Sequence, residues 1–195
     1  MGQALKADFA GPVGLDLWLG LPDAEHDRVA QMKKPTSAPD LGPIDAIKTA
    51  AFLDRGSAPA GRGSADWRRM EIPSANIHAT ADALARMLAL ALPEGVAGKA
   101  LSGGTRSAMT RERISGPDRV LPFDMSWAAG FTRNQGLGIF GPNPGTVGHC
   151  GWGGSCALAD PETGVTAAYV MTRQSPHLIG DPRATALIDA LYAAL

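Results

Sequence analysis

The apolar residues of this chain fall into short runs with different spacings. From Leu15 to Leu21 the segment LDLWLGL alternates leucine with other residues and stops at Pro22, the period-two pattern of a strand or extended segment. The period changes further on. Leu84, Met87, Leu88 and Ala91 recur at helical spacing, Thr80 offers a capping hydroxyl and Pro93 ends the run, which predicts a helix whose apolar face is core. QALKADFA (3–10) reads as the end of a helix stopped by Gly11-Pro12, and SGGTRSAMTRERI (102–114) as a short helix weakened by Gly103 and Gly104. Three strands are predicted near the C-terminus: SWAAGFT (126–132), GSCALAD (154–160) and TAAYVMT (166–172). The last two flank PETG, a turn with proline early and glycine late, and form an antiparallel hairpin. Asp181-Pro182 then opens a closing helix with an apolar stripe of Leu187, Ile188, Leu191, Tyr192 and Leu195, expected to lie across one face of the sheet.

Helices followed by strands point to an α+β arrangement rather than a parallel βαβ fold. Residues 33–43 and 56–66 are rich in Pro, Gly and Ser and flank a short helical stretch, IDAIKTAAFLD. The pieces between them are too short to be domains, so the chain is expected to form part of one domain over residues 1–195. With 45% apolar and 19% charged residues over 195 positions the composition is globular. A net charge of -1 with interspersed signs gives no footprint for nucleic acid or an anionic membrane. The absence of a long apolar run or a signal-like start leads to the expectation of a cytoplasmic chain. Cys150 and Cys156 lack the companions of a zinc site and are expected to be reduced, partly buried thiols; no metal or other cofactor is expected.

One stretch invites chemistry. GHCGWGGS (148–155) sets glycines close together at the start of the hairpin, beside His149, Trp152 and Ser155. Two roles fit: a structural glycine bulge, or a corner whose exposed amides stabilise negative charge on a substrate oxygen. A lone histidine such as His149 reads as a strand-end residue bonding locally, Asp160 and Glu162 as turn residues, Asn76 and His78 as loop-pinning groups, and His26 as solvent-facing.

Four stretches, FAGPVGLDLWLGLPDAEHDRVA, EIPSANIHATADALARM, GPNPGTVGHCGWGGSCALADPETGVTAAYVM and DPRATALIDALYAAL, resemble the serine β-lactamase-like hydrolases, which include class C β-lactamases and, nearer still, the family VIII carboxylesterases. The resemblance covers essentially the whole chain. It implies a β-lactamase/transpeptidase-like fold, in which an antiparallel sheet of five strands packs with helices on both faces. It also implies an acyl-serine mechanism on ester or lactam substrates. Three motifs carry that mechanism in the family: Ser-x-x-Lys, Tyr-x-Asn or Tyr-x-Ser, and a Lys-Thr-Gly box that is often Trp-Gly-Gly in family VIII. The third matches Trp152-Gly153-Gly154, and by that match Ser155 supplies one oxyanion-hole amide, with His149, Gly151, Trp152, Gly153 and Gly154 around the substrate.

The other two motifs have no counterpart. No serine is followed three places on by lysine, and Tyr169 and Tyr192 are followed two places on by Met171 and Ala194. The expectation is therefore the C-terminal part of such a hydrolase, an incomplete fold without catalytic residues of its own. It would be inactive unless an N-terminal complementing chain supplies the nucleophile and base, and would leave the edge of TAAYVMT unpaired. The alternative is a noncatalytic remnant or binding module.

Overall fold

The computed structural model describes residues 1–54, 56 and 58–195; residue 57 of the 56–66 loop lies outside the described residues. The chain opens on helix α1 (Gly2–Ala4), which widens into a π-helix over Leu5–Ala10 and tightens into a 3₁₀ turn over Gly11–Val13. The helix is expected to stop at Gly11-Pro12, but it changes pitch there. Gly11 N–H still donates to Lys6 O, Pro12 has no N–H to continue the ladder, and left-handed Gly14 ends the turn. Next comes β1 (Leu17–Leu19), paired antiparallel with β2 (Ile77–Ala79). The alternation in the sequence is realised: Leu15, Leu17, Leu19 and Leu21 are buried, while Asp16 and Trp18 face the other way.

Helix α2 (Ala46–Lys48) continues as a π-helix over Thr49–Leu53, with Asp45 Oδ1 accepting from Lys48 N at 2.8 Å. Helix α3 (Ala65–Arg69) starts inside the stretch expected to be loop, because the Ser64 hydroxyl caps it through Trp67 N. Thr80 caps α4 (Ala81–Leu88) as expected, and a 3₁₀ turn (Ala89–Ala91) carries the apolar face on to Leu92. Ser102 caps α5 (Gly103–Thr110).

Six antiparallel strands make the main sheet in chain order: β3 (Ile114–Pro117), β4 (Asp124–Trp127), β5 (Thr132–Arg133), β6 (Val147–Cys150), β7 (Cys156–Asp160) and β8 (Val165–Tyr169). The single strand expected over 126–132 is two strands, β4 and β5. Ala128 N–H donates to Phe131 O across a turn at Gly130, whose φ is +82°. The sheet thus has six strands among the described residues, one more than the five the resemblance implies. The expected hairpin is present, with Asp160 opposite Val165 and left-handed Gly164 closing the turn. β8 ends the sheet, and among the described residues no strand pairs with its outer edge.

Helices cover both faces. On one, α6 (Pro182–Ala193) sets Ala184 and Ile188 against Cys150, Cys156, Leu158 and Phe140; on the other, Leu88, Ala91 and Leu92 meet Val147 and Ala159. The closing stripe splits. Ile188 is buried, whereas Leu187 and Leu195 are 59% and 69% exposed, so these two expected core positions are corrected to surface ones. With Ala167, Ala168 and Tyr169, Leu187 and Leu191 line a shallow apolar groove beside β8. Among the described residues no helix is long and apolar enough to cross a membrane.

Buried carboxylates stand at both ends of α6, and Asp160 ties the helix to the sheet. Asp160, fully buried, accepts from Tyr192 Oη at 2.7 Å, Asn143 Nδ2 at 2.8 Å, Thr163 Oγ1 at 2.9 Å and Glu162 N at 2.9 Å. Burial pushes its carboxyl up, and these donors more than offset that, leaving it below the ordinary value; burial and the bond to Asp160 push Tyr192 up to about 12. At the other end of α6, Asp181 is the N-cap, held by Arg183 through Nη2 at 2.6 Å, Nε at 3.0 Å and the backbone N–H at 2.8 Å. The Arg183 guanidinium holds this carboxyl far below the usual carboxylate range.

Replacing Tyr192→Phe removes one of four donors to Asp160 and is expected to cost about 1–2 kcal/mol, read as a lower denaturant midpoint at unchanged slope. Because the folded pKa of Asp181 lies below its unfolded value near ~3.9, its stabilisation is complete above that pH and is lost as pH falls through the folded value. Asp181→Asn keeps a capping oxygen but removes the charge. It is expected to lower stability at pH 7 and to flatten its decline below about pH 4, as measured by denaturation across pH.

Candidate functional site

The loop between β6 and β7, residues 151–155, is held by a short list of hydrogen bonds. Gly151 N–H donates to Ser155 O at 2.8 Å, Gly154 N–H to Gly151 O at 3.0 Å, and Gly153 N–H to His177 O at 3.2 Å. The amides of Trp152 and Ser155 have no hydrogen-bond partner among the described residues. Two of the glycines are required by geometry. Gly153 and Gly154 have φ of +102° and +114°; a Cβ on Gly154 would collide with Asp181 Oδ2. Gly153 abuts the Gln174 side chain, and its carbonyl accepts from Ser175 N at 2.9 Å. The corner is thus clamped from behind by the 174–181 segment and by the Asp181–Arg183 pair at the head of α6.

In front of it lies a cleft of about 980 Å³. Its walls include Gly151, Trp152 and Ser155 from the corner, Trp18 from β1, Trp67 from α3, His78 from β2, Phe52 and Arg62 from the 46–63 segment, and Gln174. The structure therefore brings Gly151, Trp152 and Ser155 together at the cleft and places Gly153 and Gly154 behind them. His149 stands apart. It is exposed, its Nδ1 lies 2.8 Å from Cys150 O, and its ring lies at 5.8 Å, tilted, on Trp127 of β4. That is the local bonding expected of a strand-end histidine.

Trp152 is packed by the segment opposite: Phe52 meets it edge-on at 5.4 Å, and the Arg62 guanidinium lies over its ring at 5.4 Å. His78 is half-buried against Trp67, with ring centroids 5.9 Å apart, and burial together with the Arg68 cation lowers its pKa. Asn76 pins its loop as expected, donating to Trp67 O and Met70 O at 2.7 and 2.8 Å and accepting from Ile72 N. His26 corrects an expectation. Its side chain is only 14% exposed, with Nε2 3.3 Å from Leu21 O, because the 3₁₀ turn Asp23–Arg28 folds it back onto the end of β1.

The cleft-lining roles of Trp18, Phe52, Arg62, Trp67 and Gln174 are not legible in the sequence. Trp18 carries the one available signal, a tryptophan on the outward side of an alternating strand. Cys150 and Cys156 are buried, free and directly opposite each other across β6 and β7.

The sequence profile of the family described as Beta-lactamase matches residues 1–192. A curated relative, "Esterase/beta-lactamase LipL" of Mycobacterium tuberculosis, is 40% identical over 192 positions, which cover 89% of this chain and 43% of that protein. Among solved structures, a novel penicillin-binding protein homologue from Caulobacter crescentus is similar over 100% of this chain and 52% of its own, at 51% identity and a TM-score of 0.94. A family VIII carboxylesterase matches over 100% of this chain and 52% of its own, at 31% identity and a TM-score of 0.86. The chain spans about half the length of these proteins. A profile match along nearly its whole length, with an antiparallel sheet covered by helices as in those structures, shows that the chain belongs to the beta-lactamase family.

Proposed function

We propose that this chain is the C-terminal part of a single β-lactamase-like domain and forms one wall of the acyl-binding cleft of a serine hydrolase acting on esters or lactams. The observation that carries the reading is the hydrogen-bond pattern of the corner. Gly151 and Gly154 spend their amides within the loop and Gly153 donates to His177 O behind it, whereas the amide of Ser155, a cleft-lining residue, has no partner among the described residues. An unpaired N–H held by a loop with no freedom to relax suits an oxyanion that forms only during acyl transfer.

Under this reading a serine oxygen from the complementing half attacks the substrate carbonyl carbon. The carbonyl electrons move onto oxygen, which is held by the Ser155 N–H and by the nucleophile's own amide. The alcohol or amine leaves with a proton, and water releases the acyl group. Trp152 forms the apolar wall beside the carbonyl. No Ser-x-x-Lys pair occurs in the 195 residues, so the chain alone supplies donors and shape but no attack.

The test is hydrolysis of a p-nitrophenyl ester by the purified chain, alone and mixed with the corresponding N-terminal half of the Caulobacter crescentus homologue. Turnover in the mixture only, with a serine-directed phosphonate labelling the N-terminal half, is expected. Inhibitor-sensitive turnover by the chain alone contradicts the dependence, and inactivity of a folded mixture supports the noncatalytic binding module instead. Gly154→Ala, with its collision against Asp181, is expected to lower activity of the mixture at least about tenfold and to lower the melting temperature of the chain.

A further inference from the structure

The cleft is strongly aromatic and unevenly charged. Three of the four tryptophans of the chain, Trp18, Trp67 and Trp152, line it together with Phe52. Its carboxylates are Asp16 and Glu25, and both are taken by Arg28: Nη1 donates to Glu25 Oε2 at 2.5 Å and to Asp16 Oδ1 at 3.2 Å, and Nη2 pairs with Asp16 Oδ2. Arg68 donates to His26 O at 3.3 Å. Among the described residues, two guanidinium charges, those of Arg62 and Arg68, are therefore left without a carboxylate in the cleft.

Arg62 differs in how it is held. Its guanidinium is placed by the face of Trp152 and by no hydrogen bond among the described residues. A cation–π contact orients the planar group without using its N–H donors, which leaves a donor fork beside the corner for a ligand. An aromatic ring suits the tryptophan-lined wall, and a carboxylate suits the fork.

We propose that the cleft binds aromatic carboxylates, with Arg62, stacked on Trp152, as the residue that selects for the negative charge. The inference deepens the reading of the cleft as an acyl site, where it assigns the substrate to compounds whose aryl group keeps a free carboxylate. Binding requires no turnover, so it is tested apart from catalysis.

The indole N–H signals of the 195-residue chain, observed by 15N NMR, report directly. Trp18, Trp67 and Trp152 lie in the cleft, while Trp127 on β4 donates to Asp118 Oδ2 outside it and serves as the internal control. Benzoate, benzamide and acetate are the probes. Benzoate is expected to shift the cleft indoles and not Trp127, and to bind roughly tenfold more tightly than benzamide, which lacks the charge, or acetate, which lacks the ring. Arg62→Gln is expected to bring benzoate to the affinity of benzamide while benzamide itself is unaffected. Arg119→Gln, an exposed arginine outside the cleft, is expected to change neither. Equal affinities for benzoate and benzamide, a preference that survives Arg62→Gln, or no shift of the cleft indoles overturns the proposal. If these fail while the ester assay on the mixed halves succeeds, only the charge and aryl preference falls.

Discussion

The Asp181 carboxylate occupies the space that a side chain at Gly154 would need, and much of the molecule is arranged around that contact. Asp181 caps α6, so it is fixed to the helix that covers one face of the sheet; Arg183 neutralises it in place, and also donates to Arg173 O just beyond β8. A buried carboxylate without such a partner would be costly, whereas here the charge-assisted bonds turn it into a rigid stop. The loop is thereby held from behind by helix and sheet together. Its conformation, with two successive residues at positive φ, is available to glycine and to little else.

That rigidity explains the division of roles within the corner. A loop free to relax would turn its spare amides toward its own carbonyls or toward water, and on the proposed reading the donors would then have to be reoriented during acyl transfer. Gly151 and Gly154 are committed within the loop and Gly153 to His177 O, while Ser155 N–H has no partner among the described residues. On the other side of Trp152, the 46–63 segment adds the aromatic edge of Phe52 and the cation of Arg62, so the indole is gripped between a rigid loop and a segment of short helical turns.

Local signals predicted the elements that local chemistry builds. Thr80 and Asp181 mark helix starts by their side-chain oxygens, PETG marks a hairpin, and the leucines of 15–21 alternate because one side of that strand is buried. The misses have a common cause in tertiary contact. SWAAGFT reads as one strand until the Gly130 turn reverses it, Leu187 reads as core until β8 proves to be the end of the sheet, and His26 reads as exposed between Glu25 and Asp27 until a 3₁₀ turn folds it inward. The site divides in the same way. Trp152 to Ser155 is contiguous and was legible as a motif. The opposite wall is assembled from residues 18, 52, 62, 67 and 78, which no spacing rule connects.

The cleft and the groove beside β8 are built differently, and the difference bears on what each can accept. The cleft mixes indole rings with guanidinium groups and an unpaired amide, a combination that orients a small molecule bearing charge and acceptor oxygens. The groove between β8 and α6 offers Ala167, Ala168, Leu187 and Leu191 beside a strand edge whose backbone groups face outward, and only another stretch of polypeptide satisfies both the apolar area and the main-chain donors and acceptors. On the proposed reading these two demands meet in one complementing half, which would extend the sheet at β8 and bring a nucleophile to the cleft. Strand pairing across β8 is then coupled to catalysis through the sheet itself, because β8 pairs with β7, and β7 leads directly out of the corner that holds Ser155.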